Sequence, residues 1–191
     1  MTKRAKLFKF VGYKVDSKNN KIVFKYKVEF YNSNPIFFFE TIILPKKTAK
    51  LNKKEIHKFL EPLSLILGIS YFKLYCPPKI QTSFKLSKKQ AQFWSIVYKK
   101  GLGEFLYKNK LDPQKLAKFP HENTSTSPVR IDTEDKILLG IGGGKDSLVA
   151  LELLKNLKVS LFAVETEHHG SIFERIIQES GKLSLGIKRI L

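Results

Sequence analysis

Between Ile137 and Lys155 the chain reads ILLGIGGGKDSLVALELLK, and no other stretch narrows the possible folds as far. Ile137 to Ile141 is a short apolar run bounded by glycine, the pattern of a buried parallel strand, while Leu148, Leu151, Leu154 and Leu157 recur at helical spacing. Three adjacent glycines therefore occupy a strand-to-helix turn. Such a turn leaves the first N–H groups of the helix unpaired at the positive end of its dipole. An anion, typically phosphate, is the natural occupant.

The spacing then chooses among phosphate loops. A Walker A loop, GxxxxGK[ST], fails because Leu139 stands at its first glycine and Asp146 follows Lys145 in place of Ser or Thr. The dinucleotide fingerprint GxGxxG begins at Gly140 and Gly142 but meets Lys145 where its third glycine belongs. GGGKDS does resemble, at five of six places, the SGGxDS loop of the PP-loop ATP pyrophosphatases. That resemblance implies ATP and magnesium as cofactors, held by Gly142, Gly143, Gly144, Lys145, Asp146 and Ser147. The glycines would let the backbone close on phosphate, Asp146 would cap the helix or help place magnesium, and Ser147 would donate its hydroxyl to phosphate. Gly142 replaces the family's first serine. The plainer alternative is that the glycines end a strand and Asp146 caps a helix.

Upstream, residues 7–15, 21–30 and 36–44 have strand composition. The second alternates Val23, Phe24 and Tyr26 with lysines, and DSKNNK between the first two is a turn cluster, so an antiparallel hairpin or meander is expected. Asn52 and Glu55 open a helical pattern with Ile56, Phe59, Leu60, Leu63 and Leu67 as its apolar stripe, which Pro62 should kink or split. A second helix, from about Lys88 to Tyr107, follows Ser87 and carries Phe93, Trp94, Val97 and Tyr98, with Gly101 and Gly103 interrupting it. Pro120 to Thr133 is polar and aperiodic. After the loop helix come a strand (KVSLFAVET), a helix (SIFERIIQESG) and a strand (LSLGIKRIL), an order that implies right-handed crossovers and a parallel sheet. The reading is an α+β N-terminal domain (1–119, antiparallel sheet plus helices), a linker (120–134) and a partial α/β PP-loop domain with a parallel sheet (135–191).

No apolar run approaches the ~20 residues of a membrane helix, and MTKRAKLFKF lacks a signal-peptide core, so a cytoplasmic protein without a membrane partner is expected. The lone Cys76 excludes an intrachain disulfide and a thiolate metal cage. Thirty-five basic against 17 acidic residues give a net charge of +18. Only Arg4, Arg130, Arg175 and Arg189 are arginine, and the lysines are spread along the chain. Arginine dominates bidentate recognition of bases and phosphates, so only weak, salt-dependent, non-specific nucleic-acid binding is expected.

Two further stretches, LILGISYFKLYCPPKI and VYKKGLGEFLYKNKL, precede GIGGGKDSLVALELL. Together the three resemble the UDP-N-acetylmuramoyl-L-alanyl-L-glutamate epimerase family, with its GISYYK-like segment, GLGEFxYxN segment and GGGKDS loop in that order. The resemblance implies ATP- and magnesium-dependent inversion of the terminal L-Glu of UDP-N-acetylmuramoyl-L-Ala-L-Glu, through an acyl-adenylate, in peptidoglycan precursor synthesis. Within its segments lie Lys73 and Glu104 as acid and base candidates, and Tyr71, Tyr107 and Asn109 as substrate contacts; His168, in ETEHH after the second strand, is a further one.

A PP-loop domain usually exceeds the 55 or so residues that follow Ile137 here. A missing C-terminal portion or self-association is therefore expected to complete the chain, whose last strand would otherwise be an open edge beside the uncovered Ile172, Phe173, Ile176 and Ile177. A tRNA-modifying PP-loop enzyme and an inactive nucleotide-binding fragment are the alternatives.

Overall fold

The computed structural model describes residues 4–45, 56–124, 135–166, 175 and 178–191. Seven strands, β1 (Ala5–Asp16), β2 (Lys21–Phe30), β3 (Ile36–Ile43), β4 (Ile80–Thr82), β5 (Ile137–Gly140), β6 (Val159–Glu165) and β7 (Ser184–Ile190), follow the sheet order β4-β1-β2-β3-β7-β6-β5. The helices whose bounds fall within the described residues are α1 (His57–Phe72), α2 (Lys88–Gly101), α3 (Gly103–Lys108) and α4 (Lys145–Leu153). The chain forms two compact units. The first comprises Met1–Lys14, Phe24–Phe39 and Leu51–Val129; the second comprises Val15–Val23, Glu40–Lys50 and Arg130–Leu191.

In the second unit the DSKNNK cluster makes the turn between β1 and β2, where Asp16 Oδ1 accepts the Lys18 and Asn19 amides and Asn20 adopts a positive φ. A connection this short permits only antiparallel pairing. β2 alternates as its sequence does, burying Ile22, Phe24, Tyr26, Val28 and Phe30.

In the first unit the short strand β4, which carries no clear signal of its own, runs parallel to β1, with Phe8 opposite Ile80 and Phe10 opposite Thr82. Phe8, Phe10 and Tyr26 face α1, Phe8 against Phe72 with ring centroids 5.7 Å apart and Phe10 and Tyr26 against Gly68. Two buried tyrosines secure α1 by donating to its carbonyls: Tyr26 to Ser64 at 3.1 Å and Tyr98 to Leu65 at 2.6 Å.

α1 continues through Pro62, so of the kink or split expected there the split does not occur. Its buried face is Leu60, Ser64, Leu65, Gly68, Tyr71 and Phe72, whereas Phe59 is exposed and Leu63 and Leu67 are only half-buried. Gly68 explains the rotation, since a Cβ built there would lie 2.5 Å from the Phe10 ring and 3.1 Å from that of Tyr26. The small residues make a hollow that the sheet's aromatic rings fill. Asn52 and Glu55, the expected start of the helix, lie outside the described residues.

The second expected helix is two, α2 and α3, joined at Leu102 between the two glycines. Its expected aromatic stripe is only partly core: Tyr98 is buried, but Phe93 is exposed. α2 opens with a full capping box, Ser87 Oγ accepting the Gln90 amide at 3.3 Å and Gln90 Oε1 accepting the Ser87 amide at 2.9 Å. Ser87→Ala should lower the unfolding free energy by about 1 kcal/mol, measured by chemical denaturation. A change below about 0.3 kcal/mol would show that the box contributes nothing.

In the second unit β5 pairs in parallel with β6, and β6 in parallel with β7. α4 covers one face, where Leu151 and Leu154 meet Ile141, Val159, Leu161 and Ala163. The expectation that the last strand is an open edge is corrected, because β7 also pairs antiparallel with β3, Ile42 opposite Arg189. In the strand order it is β5 that lies at that end. The β3–β7 seam is tied by Arg189 Nε, which donates to Oε1 of the fully buried Glu40 at 2.5 Å. Of the helix expected over 171–181, Arg175 and residues 178–180 are described and helical, while Gly181, with φ +60°, is described and lies outside the helix; Ile172, Phe173, Ile176 and Ile177 lie outside the described residues.

Candidate functional site

β5 ends at Gly140, and the Ile141 amide still bonds the Phe162 carbonyl of β6 at 2.8 Å before the chain turns. The turn is thus built at the carboxyl ends of parallel strands, where open α/β sheets place their ligands. Gly143 has φ +80°, a conformation that L side chains rarely adopt, and this reversal aims the chain into α4. Gly144 is the N-cap, extended and without a side chain, so no side-chain oxygen occupies the first amides of α4. A Cβ added at Gly142 or Gly144 would meet no atom within 4 Å. The result is an exposed turn whose first helix amides carry no side-chain cap, a setting that favours anions.

Asp146 lies in the first turn of α4 and is exposed. It is not the cap, so its carboxylate remains available while gaining from the helix dipole. Ser147 Oγ donates to the Gly144 carbonyl at 2.8 Å, and reaching a phosphate requires it to leave that carbonyl. Lys145 is exposed at the first helical position. Asp146 is the carboxylate that the turn itself carries, and no group of three or more His, Cys, Asp or Glu that could hold a metal exists among the described residues. Magnesium tolerates such poverty, since it commonly binds through one or two carboxylates, phosphate oxygens and water.

The other expected site residues fall in the first unit and split into two kinds. Tyr71 is core: its ring stacks on Tyr26 at 5.0 Å and lies 5.0 Å from Phe38. Lys73, the C-cap of α1, is exposed. Glu104 and Tyr107 project from α3 into solvent, and Asn109 caps it by donating from Nδ2 to the Phe105 carbonyl. The Glu104 carboxylate pairs with Lys108 at 2.5 Å rather than with Lys73. His168 lies outside the described residues. Glu165 closes β6, and its Oε1 would lie 2.8 Å from a Cβ at Gly186. Burial pushes the Cys76 thiol above its ordinary range, which makes it a poor nucleophile.

A groove of 560 Å³ runs between α2 and the segment after α3, bounded by Ala91, Ser95, Ile96, Leu116, Phe119 and His121. None of Tyr71, Lys73, Glu104 or Tyr107 lines it. The exposed rings of Phe37 and Phe39 on β3 escaped the sequence reading as well; the signal was a break in alternation at IFFFE.

No helix among the described residues is long and apolar enough to cross a membrane. The model of the MurL N-terminal domain family matches residues 1–191. Three relatives, each named UDP-N-acetyl-alpha-D-muramoyl-L-alanyl-L-glutamate epimerase, are similar to the chain. The protein from Micromonospora sp. is 30% identical over 195 residues, covering 98% of this chain and 42% of the relative. That from Salinispora tropica is 31% identical over 159 residues, covering 80% and 34%. That from Xanthomonas oryzae pv. oryzae is 35% identical over 125 residues, covering 63% and 28%. The chain thus spans less than half the length of these relatives. No solved structure matches it.

Proposed function

The chain belongs to the MurL N-terminal domain family, and we propose that it supplies the adenylating part of an epimerase for a peptidoglycan precursor. The reaction is inversion of the terminal L-Glu of UDP-N-acetylmuramoyl-L-Ala-L-Glu to D-Glu. The observation that supports it most directly is the open glycine turn at the N-terminus of α4, carried by a chain that the family model matches from end to end.

The turn's role follows from its chemistry. Gly142–Gly144 and the first amides of α4 would hold the pyrophosphate part of ATP, with Lys145 and Ser147 adding side-chain donors and Asp146 helping to place magnesium. When bound, magnesium neutralises phosphate charge and ATP supplies the adenylyl group. The substrate carboxylate oxygen takes that group as the bond to pyrophosphate breaks. Its need is electrostatic: removing the α-proton beside a free carboxylate would set a second negative charge next to the first. Adenylation removes the first charge and leaves a better electron sink. A base then takes the α-proton from one face and an acid returns one to the other. Lys73 and Glu104 are the candidates, exposed enough to exchange protons with a bound substrate.

With magnesium present, Asp146→Ala and Ser147→Ala should each weaken binding of ATP or pyrophosphate by roughly 10-fold or more, Ser147 through a lost hydrogen bond to a charged group and Asp146 through a lost contact to the metal. Gly142→Leu should leave thermal unfolding unchanged, because the space is open, yet block the anion. Calorimetry checks all three; unaltered affinities remove the assignment of the loop.

Turnover is expected to need more than this chain. Leu138 and Val164, on the sheet face away from α4, and Leu148, Val149 and Leu153 on α4 are exposed, an apolar surface that the remaining length of the relatives would cover. With ATP, magnesium and the UDP-muramoyl dipeptide, chiral analysis of the glutamate should show no inversion by the chain alone. Inversion should appear when the rest of a family member is supplied. Unaided inversion would place every catalytic group within residues 1–191.

A further inference from the structure

On the solvent face of the first unit's sheet, strand alternation should place polar side chains, because the opposite face buries Phe24 and Tyr26 and half-buries Phe38. β3 instead presents Phe37 and Phe39, 45% and 52% exposed. The Lys25 ammonium of the neighbouring strand lies 4.5 Å from the Phe37 centroid and 5.4 Å from the Phe39 centroid, so one cation serves two aromatic faces. Lys27 Nζ lies 5.7 Å from Phe37 and pairs with Glu29 at 2.6 Å. The Glu29 carboxyl is held below its ordinary range by the Lys27 hydrogen bond first, then by the charges of Lys27, Lys6 and Lys9. Four lysines therefore stand around one carboxylate, beside two half-exposed rings that share one ammonium.

We propose that this face receives the uridine-diphosphate end of the nucleotide-linked substrate, the base lying against Phe37 and Phe39 and the diphosphate against Lys9, Lys25 and Lys27. The proposal rests on the epimerase reading for the identity of the nucleotide. Complementarity selects the ligand class. Residues two apart on a strand are separated by about 6.6 Å, roughly twice the spacing of stacked bases. One planar base can thus replace the ammonium between the rings. Lys25, displaced, is then free to meet a phosphate. A purely apolar partner would strand four ammonium groups, and a simple anion would leave the rings unused.

Isothermal calorimetry with UDP, uridine and inorganic pyrophosphate as probes tests the site. UDP should bind more tightly than either part. Phe37→Ser/Phe39→Ser should weaken UDP by about tenfold or more while leaving pyrophosphate binding at the Gly142–Ser147 loop unchanged. Lys25→Gln/Lys27→Gln, which leaves the rings in place should the first variant unfold, should weaken UDP and flatten its salt dependence. UDP affinity equal in wild type and both variants overturns the proposal. So does tighter binding of oligouridylate than of UDP at equal nucleotide concentration, which would mark a single-stranded nucleic-acid surface. If UDP and the UDP-muramoyl dipeptide bind neither wild type nor variants, the epimerase reading fails with it. If they bind wild type and variants alike, only this placement fails.

Discussion

Arg189→Met should lower the unfolding free energy by roughly 3 kcal/mol or more. Glu40 is fully buried, and its Oε1 takes the Arg189 Nε hydrogen bond at 2.5 Å. Its Oε2 is buried without a hydrogen-bond partner among the described residues, so the carboxylate already sits in an under-supplied setting. Removing the guanidinium leaves a buried charge with nothing opposite, and the loss is then mostly desolvation rather than the worth of one contact. The double variant Glu40→Leu/Arg189→Met separates the two. It removes both the cost and its compensation, and should return to within about 1 kcal/mol of the parent. Urea unfolding of the four proteins in the cycle provides the measurement. An Arg189→Met loss under about 1 kcal/mol, or a double variant as weak as the single, would show that the pair does not hold the β3–β7 seam.

Gly68→Leu should cost about 3 kcal/mol or more, the upper range of overpacking in a close-packed core. A bare Cβ at this position would already stand 2.5 Å from the Phe10 ring and 3.1 Å from that of Tyr26. Those rings cannot retreat, because Tyr26 donates from its hydroxyl to Ser64 and Phe10 lies 5.0 Å from Phe8 and 5.8 Å from Phe119. Gly101→Ala is the control: its Cβ would find Ile69 at an ordinary 3.7 Å, and the loss should stay near or below the helix-propensity scale of 1 kcal/mol in either direction. Thermal unfolding distinguishes them. Equal melting temperatures for Gly68→Leu and the parent would mean that the helix is not seated where the glycine places it.

These two sites also show how far local pattern reaches. The strands of the N-terminal sheet and the glycine turn were legible because their signals are carried by the residues themselves: alternation in KIVFKYKVEF, a turn at Asp16–Asn20, glycines that permit Gly143 its positive φ. The buried face of α1 was not, since hydrophobicity favours Phe59 over Ser64 and Gly68. Only the aromatic rings on β1 and β2 reveal that smallness, not oiliness, is what that face needs. β4 and the antiparallel edge of β7 depend on partners far away in the chain, which no window of sequence contains. At the candidate site the glycine turn was legible for the same local reason. Tyr71 drew attention as a substrate contact, although its ring is packed in the core.

The β3–β7 seam joins residues 149 positions apart, Glu40 and Arg189. Such a pairing carries a high loop-closure entropy and raises contact order, which slows the step that forms it. During synthesis the edge of β3 must wait until Lys188–Ile190 have emerged from the ribosome, while the hairpin behind it is already able to form. Through that interval an unpaired strand edge, with Ile42 and Ile43 beside a buried-type carboxylate, is open to other nascent chains. The seam is therefore a late closure, and the β3 edge stays open to aggregation and to chaperones until β7 is able to pair with it.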